Sequence, residues 1–446
     1  MSDRAAQWAS SLALLATAAL VAAPWRGHID DVDAQIYLVV ARHMAADRAW
    51  FDLRYLPGLW PVFREHLPFG LWPAAAAIRL AGEWAVGPAY ALFTLGTVAL
   101  AGRLTAALAG RWAGVAAALV LGTCESIWQY GGRPLLDPPL LLFATAAAGA
   151  VLLPRPRFVL AACCAAIAVL IKGPFGLVPL ASCVLARALV ERSPRLIASG
   201  AAASVAAALP TAALLLLDRF AGGGTWWHGY FEAQLAASAT GARYDGIGAW
   251  WFPLRVVVGR FWPGMVLVPL ALWRARRDAT TRVLTLAGAL SLALLTLPHR
   301  KWGNHAYVVF PLLAVLCGAA AAPWAERWLA RRGALVVLGS TALATWMASL
   351  AGAGALVLQP PCVVSAEFAP ALNALSPSTE VLVVSPRVEL LTIAELAAEK
   401  ALSPRAAPVL PDCAIPSVAL ARDASPVPAT WQAVAHARGW WLLRSH

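Results

Sequence analysis

Apolar runs of roughly 16–26 residues recur from residue 9 to about residue 358, the length a helix needs to cross a hydrocarbon core. A helix satisfies its own backbone polar groups, which lipid cannot do. The pattern predicts about eleven transmembrane helices, near residues 9–25, 85–103, 112–129, 137–153, 157–171, 174–190, 196–217, 258–273, 283–298, 305–322 and 334–358. The stretch 26–84 is a long outer loop with interfacial helices. Residues 9–23, after Arg4, have signal-peptide proportions but are read as an uncleaved first span. Beyond residue 358 the pattern changes. A strand at 379–384, an amphipathic helix near 387–400 and strand-like runs at 414–420 and 439–443 predict a small α/β domain over 359–446. The expected fold is therefore an all-α polytopic membrane domain, residues 1–358, followed by that extracytoplasmic domain.

Composition agrees. Hydrophobic residues make up 60% of the 446 and charged residues 13%, against roughly 45–50% and 25% in soluble domains. The net charge of +12 would suggest nucleic acid in a soluble protein. Here the arginines occupy short gaps between apolar runs, with no basic stripe on a polar surface, so nucleic acid is excluded as a partner and topology is the better explanation. Of the seven cysteines, Cys124, Cys163, Cys164, Cys183 and Cys317 lie in apolar runs and read as small core residues. Cys362 and Cys413 lie in the polar C-terminal region and can pair if it is outside the cytoplasm.

Alternate gaps carry the arginines: Arg103/Arg111, Arg155/Arg157, Arg187/Arg192/Arg195, Arg274/Arg276/Arg277/Arg282 and Arg327/Arg331/Arg332. The positive-inside rule places them in the cytoplasm, with the N-terminus inside and the C-terminal domain outside. In a bacterium that means a multi-pass inner-membrane protein with a periplasmic C-terminal domain. Most of the Asp and Glu before residue 360, and the Trp-rich stretches 26–84 and 218–257, then fall on the outer face.

Five outer-face clusters carry candidate chemistry. His28-Ile29-Asp30-Asp31-Val32-Asp33 follows the first span. It is either a solvated loop or the location of a general base, with Asp33 near the start of a helix over Ala34–Met44, whose dipole favours the ionised form. The Asp30/Asp31/Asp33 group can also attract a divalent cation, although no motif requires a metal. Arg64-Glu65-His66-Leu67-Pro68-Phe69-Gly70-Leu71-Trp72 reads as an interfacial hairpin in which His66 is a surface histidine or a phosphate contact. Arg133-Pro134-Leu135-Leu136-Asp137-Pro138-Pro139 has the grammar of a helix start, but it also puts a carboxylate at the membrane boundary. Lys172-Gly173-Pro174 holds the only lysine before Lys301, which either snorkels or binds phosphate as a point charge. Pro298-His299-Arg300-Lys301-Trp302, followed by His305 and Tyr307, gathers cationic groups on the side where the topology rule disfavours them, and a bound anion would explain them.

The order of these motifs resembles the C-type glycosyltransferase superfamily. Within it, the chain is similar to the bacterial branch that contains aminoarabinose lipid A transferases and relatives of protein O-mannosyltransferases. The resemblance spans about residues 20–320 and rests on Asp33-Ala34 with Tyr37 and Ala41-Arg42-His43-Met44, on Glu65-His66-Leu67-Pro68-Phe69 leading to Trp72, and on Asp137. It further rests on Lys172-Gly173-Pro174 and on Lys301 with Tyr307 and Pro311. Three positions depart from the family pattern: Ala34 replaces the Glu of an Asp-Glu pair, Ile36 an Arg, and His66 a Lys.

The resemblance implies a polyprenyl-phosphate-sugar donor, a lipid or protein acceptor and an inverting displacement. It implies Asp33 as acceptor-activating carboxylate, Asp137 as its helper, and Lys172 and Arg243 as phosphate or pocket residues. Arg64, Glu65, His66, Arg300, Lys301 and Tyr307 are the remaining expected substrate contacts. No cofactor is expected, because the carrier lipid brings an activated sugar. The rival readings are a transporter or flippase for such lipids, or a non-catalytic relative. Transporters place charge at mid-membrane on broken helices, whereas charge here gathers at one face.

Overall fold

The computed structural model describes residues 2–22, 31–56, 62–242, 248–262 and 264–329. Beyond these it describes 331–332, 339, 342, 368, 371–372, 374–375 and five strands between 380 and 445. The chain divides into two units: residues 1–26, 64–73 and 83–348, and residues 27–63, 74–82 and 349–446.

The first unit is helical. Its main elements are α1 (Ser2–Ala22), α4 (Val86–Ala109), α5 (Arg111–Gly122), α6 (Glu125–Tyr130), α7 (Asp137–Leu152), α8 (Phe158–Lys172), α9 (Val178–Glu191) and α10 (Pro194–Ala221). It continues through α11 (Ala237–Thr240), α12 (Phe252–Arg260), α13 (Val268–Ala275), α14 (Ala279–Thr296) and α15 (Phe310–Trp324). Proline sits in the first turn of α7, α9, α10, α12, α13 and α15. Its missing N–H costs nothing there and its fixed φ suits the helix. At α7 this proline signal was read from sequence, in Asp137-Pro138-Pro139.

Small residues let the helices approach closely, the usual packing device where lipid supplies no hydrophobic drive. A Cβ on Gly114 of α5 would collide with the backbone oxygen of Gly102 and with Ala106 of α4, and one on Gly318 of α15 with Ala113 and Ala117 of α5. In an 18-residue window of the apolar stretch Gly303–Trp328, which contains α15, 83% is buried, against 28% in a window of Pro194–Ala221. Helix α15 is therefore the centre of the bundle and α10 its periphery.

Among the described residues, five helical stretches are long and apolar enough to cross a membrane, or six if the pair Phe252–Arg260 and Gly264–Ala275, bent by 101°, is one span. Ala5–Val21, Arg111–Gly122 and Asp137–Leu152 are shorter apolar helices. The expected spans near 157–171 and 174–190 form one apolar stretch, Phe158–Glu191, interrupted by a 3-10 turn at Gly173–Leu177. The expected span near 258–273 is instead a short helix, a sharp bend and a second short helix. Residues 334–358, apart from two isolated positions, and the helix expected near 387–400 lie outside the described residues, as do Cys362 and Cys413.

The second unit contains α2 (Val32–Asp47), α3 over most of its length (Trp72–Ala81) and a five-stranded sheet. Its strands are β1 (Glu380–Val384), β2 (Ser403–Ala407), β3 (Val418–Arg422), β4 (Trp431–Ala437) and β5 (Trp440–Ser445), in the order β2-β1-β3-β5-β4. Strand β1 runs parallel to β2 and β3, and β5 antiparallel to β3 and β4. Val381, Ala419, Leu420, Leu442 and Leu443 are buried in it. The two strands that sequence did not announce, β2 and β4, are the sheet edges. An edge tolerates Pro404 in Ser403-Pro404-Arg405-Ala406-Ala407, and β4 carries an irregularity at Ala433/Ala435.

Candidate active site

The centre of the site in the first unit is an ion pair. Asp137 opens α7 and Lys172 closes α8, and Lys172 Nζ donates to Asp137 Oδ1 at 2.7 Å. The two side chains are only 6% and 10% exposed. Charges so withdrawn from water persist only when paired. Both ends are held in place by tight packing. Gly70 of the Pro68–Gly70 turn lies so close to Leu136 and Ile171, the residues before Asp137 and Lys172, that a Cβ there would collide with the Leu136 side chain. Its carbonyl accepts from Tyr90 Oη at 2.8 Å. Gly173 has φ +61°, and an added Cβ would strike the hydroxyl of buried Tyr230. Glycine is required at that position both by its backbone conformation and by the closeness of Tyr230.

Around the pair stand further polar groups. The His305 imidazole interacts electrostatically with Lys172, Arg300 and His66, and its ring packs on Phe175 with centroids 4.3 Å apart. Residues of three sequence clusters, those of His66, Lys172 and Arg300, thus act electrostatically on His305. The backbone N–H of Arg300 donates to Ser238 O at 3.1 Å and its guanidinium to Gln234 Oε1 at 3.4 Å. Arg64 stacks over Trp226, with Cζ 4.5 Å from the ring centroid, and donates to Thr225 Oγ1 at 3.4 Å.

The segment linking these partners is a π-helical run, Trp227–Ala236. Asp218 receives the N–H groups of Trp226 and Trp227 at 2.7 and 2.9 Å. Tyr230 then covers Gly173, Gly229 packs on Arg64 and Gln234 meets Arg300. Burial pushes the Tyr230 phenol above its ordinary range. Hydrogen bonds from His228 and Trp227 pull the exposed Glu232 carboxyl below its ordinary range. Sequence reasoning placed residues 218–257 outside the membrane but missed this organising role. The signals available were Gly229 and the glycines at 222–224, whose meaning depends on contacts made far along the chain.

Lys301 is placed differently from Lys172. It is 3% exposed, and its ammonium donates to the carbonyls of Pro298 at 2.7 Å, Gly248 at 3.3 Å and His299 at 3.4 Å. All three donors are used on backbone. Desolvation draws its pKa below the usual lysine value. Tyr307 is buried, and its hydroxyl accepts from Arg260 at 2.8 Å. Glu65 is half-buried beside His66. Arg243 and Asp30 lie outside the described residues.

Asp33 belongs to the second unit. It stands exposed in the first turn of α2, and Asp31 caps that helix by accepting from the N–H of Ala34 at 3.0 Å. Partial positive charge at the helix N-terminus favours the ionised form of such a residue. From Ala34 to Ala41 every residue of α2 is buried. Among the described residues, no group of three or more His, Cys, Asp or Glu side chains has the geometry to hold a metal ion.

No family model and no curated protein matches the sequence. Solved structures do match. ArnT from Cupriavidus metallidurans bound to undecaprenyl phosphate superimposes with a TM-score of 0.73 at 17% identity, over 98% of this chain and 97% of that one. The chain has the C-type glycosyltransferase fold. ArnT in the apo state matches with a TM-score of 0.67 at 16% identity, over 92% of this chain and 93% of that one. The oligosaccharyltransferase AglB from Archaeoglobus fulgidus, in complex with an inhibitory peptide and a dolichol-phosphate, matches with a TM-score of 0.53 at 14% identity. That match covers 90% of this chain and 64% of AglB. The C-type fold thus extends over nearly the whole of this protein and includes its small C-terminal sheet.

Proposed function

We propose that this protein is an integral-membrane glycosyltransferase that moves a sugar from a polyprenyl-phosphate carrier to a lipid or protein acceptor. The reaction takes place on the extracytoplasmic face of the inner membrane, with the N-terminus cytoplasmic and the C-terminal domain periplasmic. The observation that carries this reading is the Lys172–Asp137 pair, withdrawn from water, with His305 within electrostatic reach of Lys172, His66 and Arg300, in a chain that matches over 98% of its length a protein captured with undecaprenyl phosphate. A buried cation beside other cationic groups suits a phosphate, and Asp137 holds Lys172 in place when the phosphate is absent.

In the proposed reaction the Asp33 carboxylate takes the proton of an acceptor hydroxyl or amine. The acceptor atom bonds to the anomeric carbon from the side opposite the carrier. The bond from that carbon to the carrier phosphate oxygen breaks, and the electron pair leaves on the phosphate. Lys172 and Arg300 stabilise that charge as donors preorganised by the fold, with Arg243 as a further phosphate contact. Arg64, Glu65 and His66 line the donor side, and Tyr307 orients Arg260 beside it. Lys301 acts indirectly by fixing the loop that carries Arg300. The sugar arrives activated, so no nucleotide or other cofactor enters the step.

General-base catalysis contributes about 10²–10⁴ in rate. Asp33→Asn should therefore lower transfer of labelled sugar from polyprenyl-phosphate donors by that factor in vesicles while the protein stays folded. Transfer at the wild-type rate by the variant would remove Asp33 from this role.

A further inference from the structure

The turn that follows Lys172, Gly173–Leu177, is packed by two side chains to which the reaction above gives no role. Tyr230 comes from the π-helical run Trp227–Ala236, a backbone form that recurs at functional sites. Its hydroxyl lies where a Cβ on Gly173 would be. His305 comes from the stretch Gly303–Val309 and lays its ring on Phe175 of the same turn, with centroids 4.3 Å apart.

Four tyrosines of the helical unit are described: Tyr90, Tyr130, Tyr230 and Tyr307. The Tyr90 hydroxyl donates to Gly70 O, and those of Tyr130 and Tyr307 accept from Arg260. Tyr230 is 3% exposed, yet its hydroxyl makes no hydrogen bond among the described residues. A phenol taken out of water without a partner is costly, and such a group in a native fold has a cause. Close packing is not that cause. Ser182 Oγ and Thr211 Oγ1 are unbonded and sealed, whereas Tyr230 Oη is unbonded and not sealed.

His305 also has an unused donor. Its Nδ1 accepts from the backbone N–H of Trp302 at 3.3 Å, so the single hydrogen of the ring is on Nε2. That nitrogen makes no hydrogen bond among the described residues, and the residue is half-buried. Lys172, Arg300 and His66 act electrostatically on the ring. Positive charge is therefore already supplied around this turn. A tetrahedral phosphate still needs donors for its remaining oxygens, and a hydroxyl and a neutral imidazole provide them without adding repulsion among cations.

We infer that Tyr230 Oη and His305 Nε2 are a pair of neutral donors to the non-bridging oxygens of the carrier phosphate held by Lys172. Both keep their protons and act by hydrogen bonding alone. The inference rests on the proposed function, which supplies the phosphate and its place at Lys172.

The test measures the affinity of the full-length protein in neutral detergent for undecaprenyl phosphate, and its thermal unfolding without ligand. Tyr230→Phe keeps the ring over Gly173 and removes only the hydroxyl. It should weaken binding about tenfold, the loss expected for one hydrogen bond to a charged group. Its unfolding without ligand should be unchanged or shifted up, because a hydroxyl without a partner contributes nothing to the empty protein. A hydroxyl with a purely structural role would shift it down. His305→Asn keeps an acceptor for the Trp302 N–H and removes the outer donor, so it should also bind about tenfold more weakly. His305→Gln, whose amide reaches the Nε2 position, should recover most of that loss. Undecaprenol, which lacks the phosphate, should not distinguish wild type from Tyr230→Phe. Wild-type affinity for undecaprenyl phosphate in either Tyr230→Phe or His305→Asn, with binding lost in Lys172→Met/Asp137→Leu, would overturn the donor pair and leave the proposed function standing. Lower stability of ligand-free Tyr230→Phe, or equal weakening toward undecaprenol, would also overturn the pair. No binding of undecaprenyl phosphate by wild type would overturn the proposed function and the pair with it.

Discussion

Two lysines in the helical unit, Lys172 and Lys301, are both largely withdrawn from water, yet they are held in different ways. Lys172 faces one carboxylate at 2.7 Å, so its positive charge is balanced by a side chain that a phosphate can share or replace. Lys301 faces three backbone carbonyls, and its donors are spent on joining the 298–299 turn to Gly248. On the proposed function, the difference is that the partner of Lys172 is exchangeable. Backbone carbonyls in a packed loop are not exchangeable. In the proposed reaction one lysine is a charge held ready for a substrate, and the other is a structural peg.

The largest effect expected from this contrast is on catalysis. Lys172→Met should lower sugar transfer by about 10²–10³, the loss typical of removing one preorganised donor to a developing anion. It should also destabilise the fold by about 3–5 kcal/mol, because Asp137 is left buried without its partner. Lys172→Met/Asp137→Leu should recover most of that stability and none of the activity. Wild-type transfer by either variant would erase the distinction between the two lysines.

Lys301→Met should act mainly on structure. Unsatisfied carbonyls in a buried loop cost about 1–3 kcal/mol, so thermal unfolding should shift down. The donor KM should rise as Arg300 loses its support, with kcat changed only a few-fold. A collapse of kcat at unchanged KM would instead put Lys301 at the reacting atoms.

A smaller effect sharpens the Lys172 side. Gly173→Ala imposes a left-handed conformation on a side chain that also meets Tyr230. It should cost about 1–3 kcal/mol. Trimming the neighbour with Tyr230→Ala should relieve the contact but not the backbone strain, so the double variant should be less destabilised than additivity requires.

The smallest effect concerns the segment that covers Gly173. Glu232 is held below its ordinary carboxyl range by His228 and Trp227. A depressed carboxyl contributes stability above the ordinary pKa and loses it as pH falls through the folded-state value. Opening of the Trp227 region on acidification below about pH 4, followed by indole fluorescence, should therefore depend on Glu232 and be flatter in Glu232→Gln.

Much of this arrangement was legible in the sequence. The start of α7 was marked by proline in its first turn, and Asp137 and Lys172 stood out because each broke a local rule, an acid at a membrane boundary and a solitary lysine among arginines. Their mutual contact was not legible, since it joins residues 35 apart through the packing of α7 and α8. The cationic run at 299–301 suggested a bound anion. The structure gives Lys301 carbonyl partners instead, a solution that composition cannot reveal because every residue has a carbonyl. Arg260 was passed over for the opposite reason. Sequence shows a routine arginine at a helix end, and only the fold brings Tyr130 and Tyr307 to it.

The account is tested most directly by one assay: release of labelled sugar from a polyprenyl-phosphate donor onto membrane acceptors, at saturating donor, by wild type, Lys172→Met and Lys301→Met in matched vesicles. The account predicts transfer by wild type, transfer within a few-fold of it by Lys301→Met, and almost none by Lys172→Met. Absence of transfer by the folded wild type across polyprenyl-phosphate donors, or an equal loss in both lysine variants, would contradict it.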